Sequence, residues 1–199
     1  MPRTKQFDEQ VVLERAVELF WKQGYHSTSM QNLVDHLGIN RASMYTTFGD
    51  KKQLFIRAIQ HYRKVNAQGM ASLLKDEPDV RIGLRRILEL AGTEATADAD
   101  RKGCFVVNTT TELIPNDPEV LPIVAENKEQ IEQSIYNYLL QGQQAGQIAP
   151  EIDVQVIASL IFTTYNGLRV VGKIDPESAT LRRTVEAVLS LLDKPKLIR

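Results

Sequence analysis

The sequence predicts an all-α protein of about nine helices: an N-terminal three-helix helix-turn-helix domain and a C-terminal helical domain. Three observations predict this. Apolar residues recur at helical spacing along nearly the whole chain, and almost nothing alternates as a strand does. Helix-capping residues and glycines punctuate those runs. Residues 27–48 read as two short helices held at an angle by a tight, glycine-containing turn, the helix-turn-helix pattern.

Composition sets the outer bounds. A chain of 199 residues, 43% hydrophobic and 25% charged, is that of an ordinary globular protein of one or two domains. The net charge of −1 hides an asymmetry: residues 1–64 hold ten Lys/Arg against six Asp/Glu, and the remainder fourteen against nineteen. A mildly basic head on an acidic body suits a polyanionic partner for the head alone. The single Cys104 has no partner for an intramolecular disulfide, and no Cys/His set has zinc-site spacing, which fits a reducing cytoplasm. Residues 1–6 lack the apolar core of a signal peptide. The apolar stretch 154–172 is interrupted by Gln155, Asn166 and Arg169, so a buried helix is expected there and no membrane partner.

Taken in order, Arg3 and Lys5 form a short basic arm, a solvated tail or a minor-groove probe. Asp8 caps a first helix whose inner face is Val12, Ala16, Leu19 and Phe20, with Phe7 and Val12 as a hydrophobic staple and Gly24 as its stop. Thr28 and Gln31 are spaced as a capping box for a second helix, with Met30, Leu33, Val34 and Leu37 on one face. Gly38 turns the chain, Ile39 returns to the core, and Asn40 caps a third helix, Arg41–Phe48. Gly49-Asp50 ends it, and Asp50 with Gln53 caps a fourth that runs to about residue 74.

The outward face of the third helix carries the functional argument. Met44 and Phe48 face inward, leaving Arg41, Ala42, Ser43, Tyr45, Thr46 and Thr47 outside. That surface has short donors, one long cation and no carboxylate, where an ordinary solvated helix favours Glu and Lys. It suits a phosphate backbone and the major-groove edges of bases. Lys51 sits in the first turn of the fourth helix, where the dipole disfavours a cation and a nearby phosphate offsets that cost.

Thr28-Ser29-Met30, the run from Leu37 to Tyr45, Phe48-Gly49-Asp50-Lys51 and Leu54-Phe55 together resemble the tetracycline-repressor (TetR) family of bacterial regulators, over roughly residues 8–60. The resemblance implies a homodimer, a DNA-binding domain over 1–50 linked through helix 51–74, and a ligand-binding and dimerisation domain over 51–199. It implies phosphate contacts by Thr28, Tyr45, Thr47 and Lys51, and groove-facing positions at Arg41, Ala42 and Thr46. Thr47 stands where an aromatic or His is common in the family. The implied partners are a palindromic double-stranded operator, a second copy of the chain and a small-molecule effector, with no cofactor.

The second part reads as further helices: 79–92, then an Ala/Asp-rich loop over 93–102, a short helix over 103–114, and a long one from Pro118 to about 145 frayed at Gly142 and Gly146. A helix over 153–173 and a last one capped by Asp175-Pro176 complete the chain. These last two are apolar over more than one stripe, so neighbouring helices or a second subunit must cover them. Cys104, Phe105, Asn108, Thr109, Glu112, Tyr138, Phe162 and Tyr165 are candidate ligand-binding residues, as apolar groups with a few polar ones among them. Cys104 beside Arg101 and Lys102 at a helix start reads either as a thiolate sensor or as a small buried hydrophobe. Two other functions stay open on the residues alone: a helical interaction module that no longer binds DNA, and an enzyme without a readable motif. The chain has no phosphate loop, nucleophile elbow or zincin motif.

Overall fold

The computed structural model describes residues 7–97, 100–175 and 179–193, with backbone alone for 92–97. The described residues form nine α-helices and no strand. They are α1 (Glu9–Gln23), α2 (Met30–Leu37), α3 (Arg41–Phe48), α4 (Lys51–Lys75), α5 (Val80–Ala97), α6 (Phe105–Leu113), α7 (Leu121–Gln144), α8 (Val154–Val171) and α9 (Ala179–Ser190). The basic arm at Arg3 and Lys5 and the cap at Pro176 lie outside the described residues. The chain divides into two compact units: Met1–Val65 with Phe105–Val124, and Asn66–Cys104 with Ala125–Arg199.

In the first unit, Asp8 caps α1 by accepting from the Gln10 N–H at 2.8 Å, and Val12, Ala16, Leu19 and Phe20 are buried. Phe7 stacks on Phe48 with ring centroids 6.5 Å apart. The α2 cap differs from expectation. Ser29 is the N-cap, and Ser29 and Asn32 exchange side-chain and backbone bonds in a reciprocal box. Thr28 is fully buried with its hydroxyl donated to the Gly24 carbonyl at 2.6 Å, and Gln31 instead bonds Asp35. Leu33 and Leu37 are buried, while Met30 and Val34 are half-buried. Gly38 takes the left-handed conformation after α2, and Asn40 caps α3 by accepting from Ser43 N–H at 2.8 Å. Asp50 and Gln53 form the reciprocal cap of α4, at 3.0 and 2.8 Å.

The core of this unit is aromatic. Phe55 meets Phe20 edge-on at 5.0 Å and Phe105 at 5.7 Å, and Tyr62 meets Phe105 at 5.5 Å. Phe20, Phe55 and Phe105 are essentially inaccessible. Burial of one such ring stabilises by about 1.5–3 kcal/mol, so Phe105 alone gives α6 a strong reason to sit with α1 and α4.

In the second unit, Leu84, Ile87 and Leu88 of α5 join Ile135, Leu139, Ala158, Ile161 and Leu189 in one core. Two glycines set the approach of α5 to α7: a Cβ at Gly83 would collide with the Tyr138 hydroxyl, and one at Gly142 with Val80. Gly142 stands in the last turn of α7, which ends at Gln144 close to the expected place, and it is buried against Val80 rather than frayed. The expected loop from residue 93 is helical to Ala97, and α7 opens at Leu121 after a turn in which Asp117 accepts from the Glu119 and Val120 N–H groups at 3.1 Å. Leu90 of α5, although apolar, is 40% exposed.

Asp153 caps α8 through the N–H groups of Gln155 and Val156. By length and composition this helix is apolar enough to cross a membrane. Its apolar residues form two opposed stripes. Val154, Ala158, Ile161, Tyr165 and Leu168 are buried together with Arg169, whereas Val156, Leu160, Val170 and Val171 are 60, 37, 44 and 47% exposed.

Candidate DNA-binding surface and regulatory core

The exposed face of α3 is assembled by its neighbours. Arg15 of α1 donates to the Leu37 carbonyl at 3.3 Å and Arg57 of α4 to the Thr47 carbonyl at 2.9 Å, each satisfying the last turn of a helix that has few partners of its own. Arg57 also lies over the Phe48 ring at 4.6 Å and near Glu9 at 3.7 Å. Sequence reading missed both arginines, because the carbonyls they serve belong to other helices.

Arg41, Ala42, Tyr45 and Thr46 are exposed, and Ser43 and Thr47 half-buried. The Arg41 guanidinium lies 5.9 Å from the Tyr45 ring centre, at the outer edge of a cation–π contact. Thr46 donates its hydroxyl to the Ala42 carbonyl at 2.8 Å, so its oxygen still accepts. The helix carries no acidic residue in its first turn and none elsewhere in its span. Thr28, expected at a phosphate, is enclosed in the α1–α2 turn and presents no side-chain surface. Beside this face, the Lys51 ammonium lies 4.4 Å from the Tyr25 ring centre and the Lys52 ammonium 5.4 Å from it. Burial pushes the Lys51 ammonium below its ordinary value, and the Glu112 carboxylate pulls it back up. Lys52, also pushed down by burial, pairs with Asp117.

The candidate ligand residues divide between the two units. In the first, Phe105 is packed between Phe55 and Tyr62, Asn108 is half-buried, and Thr109 is buried with a hydroxyl that finds no hydrogen-bond partner. Glu112 is engaged elsewhere: its carboxylate accepts from the N–H groups of Tyr25 at 2.9 Å and His26 at 2.7 Å. In the second unit, Cys104 is buried and outside any disulfide. Tyr138 and Tyr165 belong to the core, with Phe162 packed against it. The Tyr138 hydroxyl donates to the carbonyls of Glu77 at 2.7 Å and Asp79 at 3.0 Å, and burial pushes its pKa up to about 12. Tyr165 lies 5.2 Å from the Arg169 guanidinium. An open groove of ≈ 800 Å³ between the second half of α4 and α7, lined by Ala67, Ala71, Gln130 and Gln133 among others, contains none of the residues singled out from sequence.

Comparison with known proteins gives the same picture at the level of the chain. Residues 12–58 match the family described as "Bacterial regulatory proteins, tetR family", and residues 83–188 match "Tetracyclin repressor-like, C-terminal domain". The HTH-type transcriptional regulator YezE of Bacillus subtilis (strain 168) is 33% identical over 97% of this chain and 100% of its own length. The HTH-type transcriptional repressor ComR of Escherichia coli (strain K12) is 27% identical over 99% of this chain and 93% of its own. Among solved structures, a cysteine mutant of the TetR family regulator CifR bound to 26-base-pair operator DNA is 25% identical, with a TM-score of 0.84 over 96% of this chain and 100% of that one. Helix-turn-helix, an exposed α3 face without a carboxylate and matches over both halves lead to one conclusion: the chain belongs to the tetR family of bacterial transcriptional regulators.

Proposed function

We propose that the chain is a ligand-responsive, homodimeric repressor that binds a palindromic operator through α3. The observation that carries the reading is the exposed α3 face with Arg41, Tyr45 and Thr46 and no carboxylate. Arg41 reads a base edge and Ala42 and Thr46 line the groove, while Tyr45, Thr47 and Lys51 meet phosphates and Ser43 supports the helix start. The functional division we propose places DNA recognition in residues 1–50, joined through α4 to effector binding and dimerisation in the remainder. Support for operator binding comes from CifR, solved with operator DNA, and for repression from ComR, named a repressor.

Dimerisation uses the exposed stripe of α8, since Val156, Leu160, Val170 and Val171 recur on one side of the helix and lie in water in a single chain. The effector shifts an equilibrium between two dimer forms whose α3 helices stand at different separations, and its leverage is its differential affinity for those forms. A cytoplasmic location and a non-enzymatic role belong to the same reading.

The test is selection of duplexes from a random pool by the purified protein, repeated with Arg41→Ala. The expected winner is a palindrome with half-sites about one helical turn apart or a multiple of it, bound with a steep salt dependence. Arg41→Ala should bind it more weakly by about 1–3 kcal/mol and relax the preference at one position of each half-site. Absence of any enriched sequence would overturn the proposal.

A further inference from the structure

Helix α6 lies near the middle of the chain, yet it belongs to the compact unit that holds the helix-turn-helix. Its most specific attachment is Glu112. The two carboxylate oxygens accept from successive backbone N–H groups, Tyr25 at 2.9 Å and His26 at 2.7 Å, in the turn between α1 and α2. The turn is shaped to the carboxylate: Gly24 stands at φ 81°, and a Cβ there would lie 2.8 Å from a Glu112 oxygen. Tyr25, fixed in this way at its backbone, packs its ring edge-on against Phe55 at 4.9 Å. The Lys51 ammonium lies over the same ring, 4.4 Å from its centre. Lys52, next in sequence, is held by Asp117 from the segment that follows α6.

We infer that Glu112 and Tyr25 are positioning residues for operator binding. The carboxylate fixes the backbone at Tyr25–His26, the Tyr25 ring bears the Lys51 ammonium, and the ammonium is thereby presented to a DNA phosphate. The inference rests on the reading above that Lys51 meets phosphate. It assigns Glu112 a role in DNA recognition although it lies far along the chain from α3 and bears the wrong charge for a polyanion. The two N–H groups it accepts from offset that charge locally, as they do for carboxylates at helix starts.

The sign of the effect separates positioning from plain electrostatics. Removing a carboxylate from a DNA-binding body ordinarily strengthens binding, whereas loss of a positioning group weakens it. The experiment uses the full chain and its selected operator duplex, with affinity measured by anisotropy over a series of salt concentrations. Lys51→Met sets the reference, with a slope of log affinity against log salt shallower by about 0.9 per protomer. Glu112→Ala and Tyr25→Leu are expected to weaken binding and to flatten the slope by the same amount. Either one combined with Lys51→Met should flatten it no further. If Glu112→Ala loses its helical circular dichroism, Glu112→Gln, which keeps the shape and one acceptor oxygen, and Tyr25→Leu, which keeps the Glu112 bonds, decide the matter. Tighter binding by the Glu112 variants, or weaker binding at an unaltered slope, overturns the proposal alone. An unaltered slope in Lys51→Met itself removes the phosphate reading of that lysine and the proposal with it.

Discussion

Gly24 combines φ 81° with ψ 171°, a region open essentially to glycine only. Gly24→Ala should therefore destabilise the protein by about 1–3 kcal/mol through backbone strain, before any contact with Glu112 is counted. Urea unfolding measures this, and an unchanged midpoint would mean that the turn relaxes freely. The same turn shows what single residues disclose. Asn40 and Asp50 were legible as caps because each is a strong N-capping residue just after a turn glycine, Gly38 or Gly49, and no second capping residue stands beside it. Thr28 and Ser29 are adjacent and equally suited to cap α2, and the choice is tertiary: Thr28 is buried against the Gly24 carbonyl, which leaves Ser29 to cap. Arg41 and Tyr45 were legible by residue type, a long cation and an amphipathic ring on a helix without a carboxylate; the wheel alone sets Arg41, seven residues before Phe48, on nearly the same side, and its exposure is seen in the structure. Glu112 was readable as a polar residue on a short helix, but its partners lie in another helix–helix turn far upstream, and no local spacing encodes such a pair.

At the scale of elements, α9 is fastened to α5 by charge as well as by its buried Leu181, Val185 and Leu189. Arg85 forms a two-pronged pair with Glu186, one prong at 2.9 Å, and Arg81 pairs with Asp193. Hydrogen bonding to Arg85 holds the Glu186 carboxyl below its ordinary value of 4.5. A lowered carboxyl pKa contributes stability that is present above the unfolded value and lost as pH falls through the folded one. Stability should therefore decline below about pH 4.5 with a component that Glu186→Gln removes, measured as urea midpoints at neutral and acid pH. Because Glu186 is exposed, the component should also shrink in high salt. A wild-type-like acid response in Glu186→Gln would show that the pair does not fasten α9. Element boundaries were the less legible part of the fold. Gly92 looked like a helix stop, but Ala and Glu in 94–97 favour helix and α5 continues. Gly142 looked like fraying, since nothing local reveals that Val80 needs the space.

At the scale of the molecule, the two stripes of α8 carry the proposed assembly. The excess of apolar residues over one stripe already required a second covering surface, from neighbouring helices or a second subunit. Which residues turn outward depends on how α5 takes the inner side. Leu160→Glu with Val171→Glu places charge at two exposed positions of the outer stripe and leaves the buried one untouched. Sedimentation should then show a folded monomer, and affinity for the palindrome should fall toward that for one half-site. A dimer that persists would move the interface elsewhere. The make-up of the first unit bears on how such regulators can be recombined. It is discontinuous in sequence, Met1–Val65 with Phe105–Val124. A chimera that exchanges only the N-terminal segment would pair a new α1–α2 turn with a foreign α6. It would lack a matched carboxylate for Tyr25 and His26, a ring for the Phe55 and Tyr62 faces and an acid for Lys52. A graft that keeps this unit intact has two splice segments, and the second is α6 with the turn that follows it.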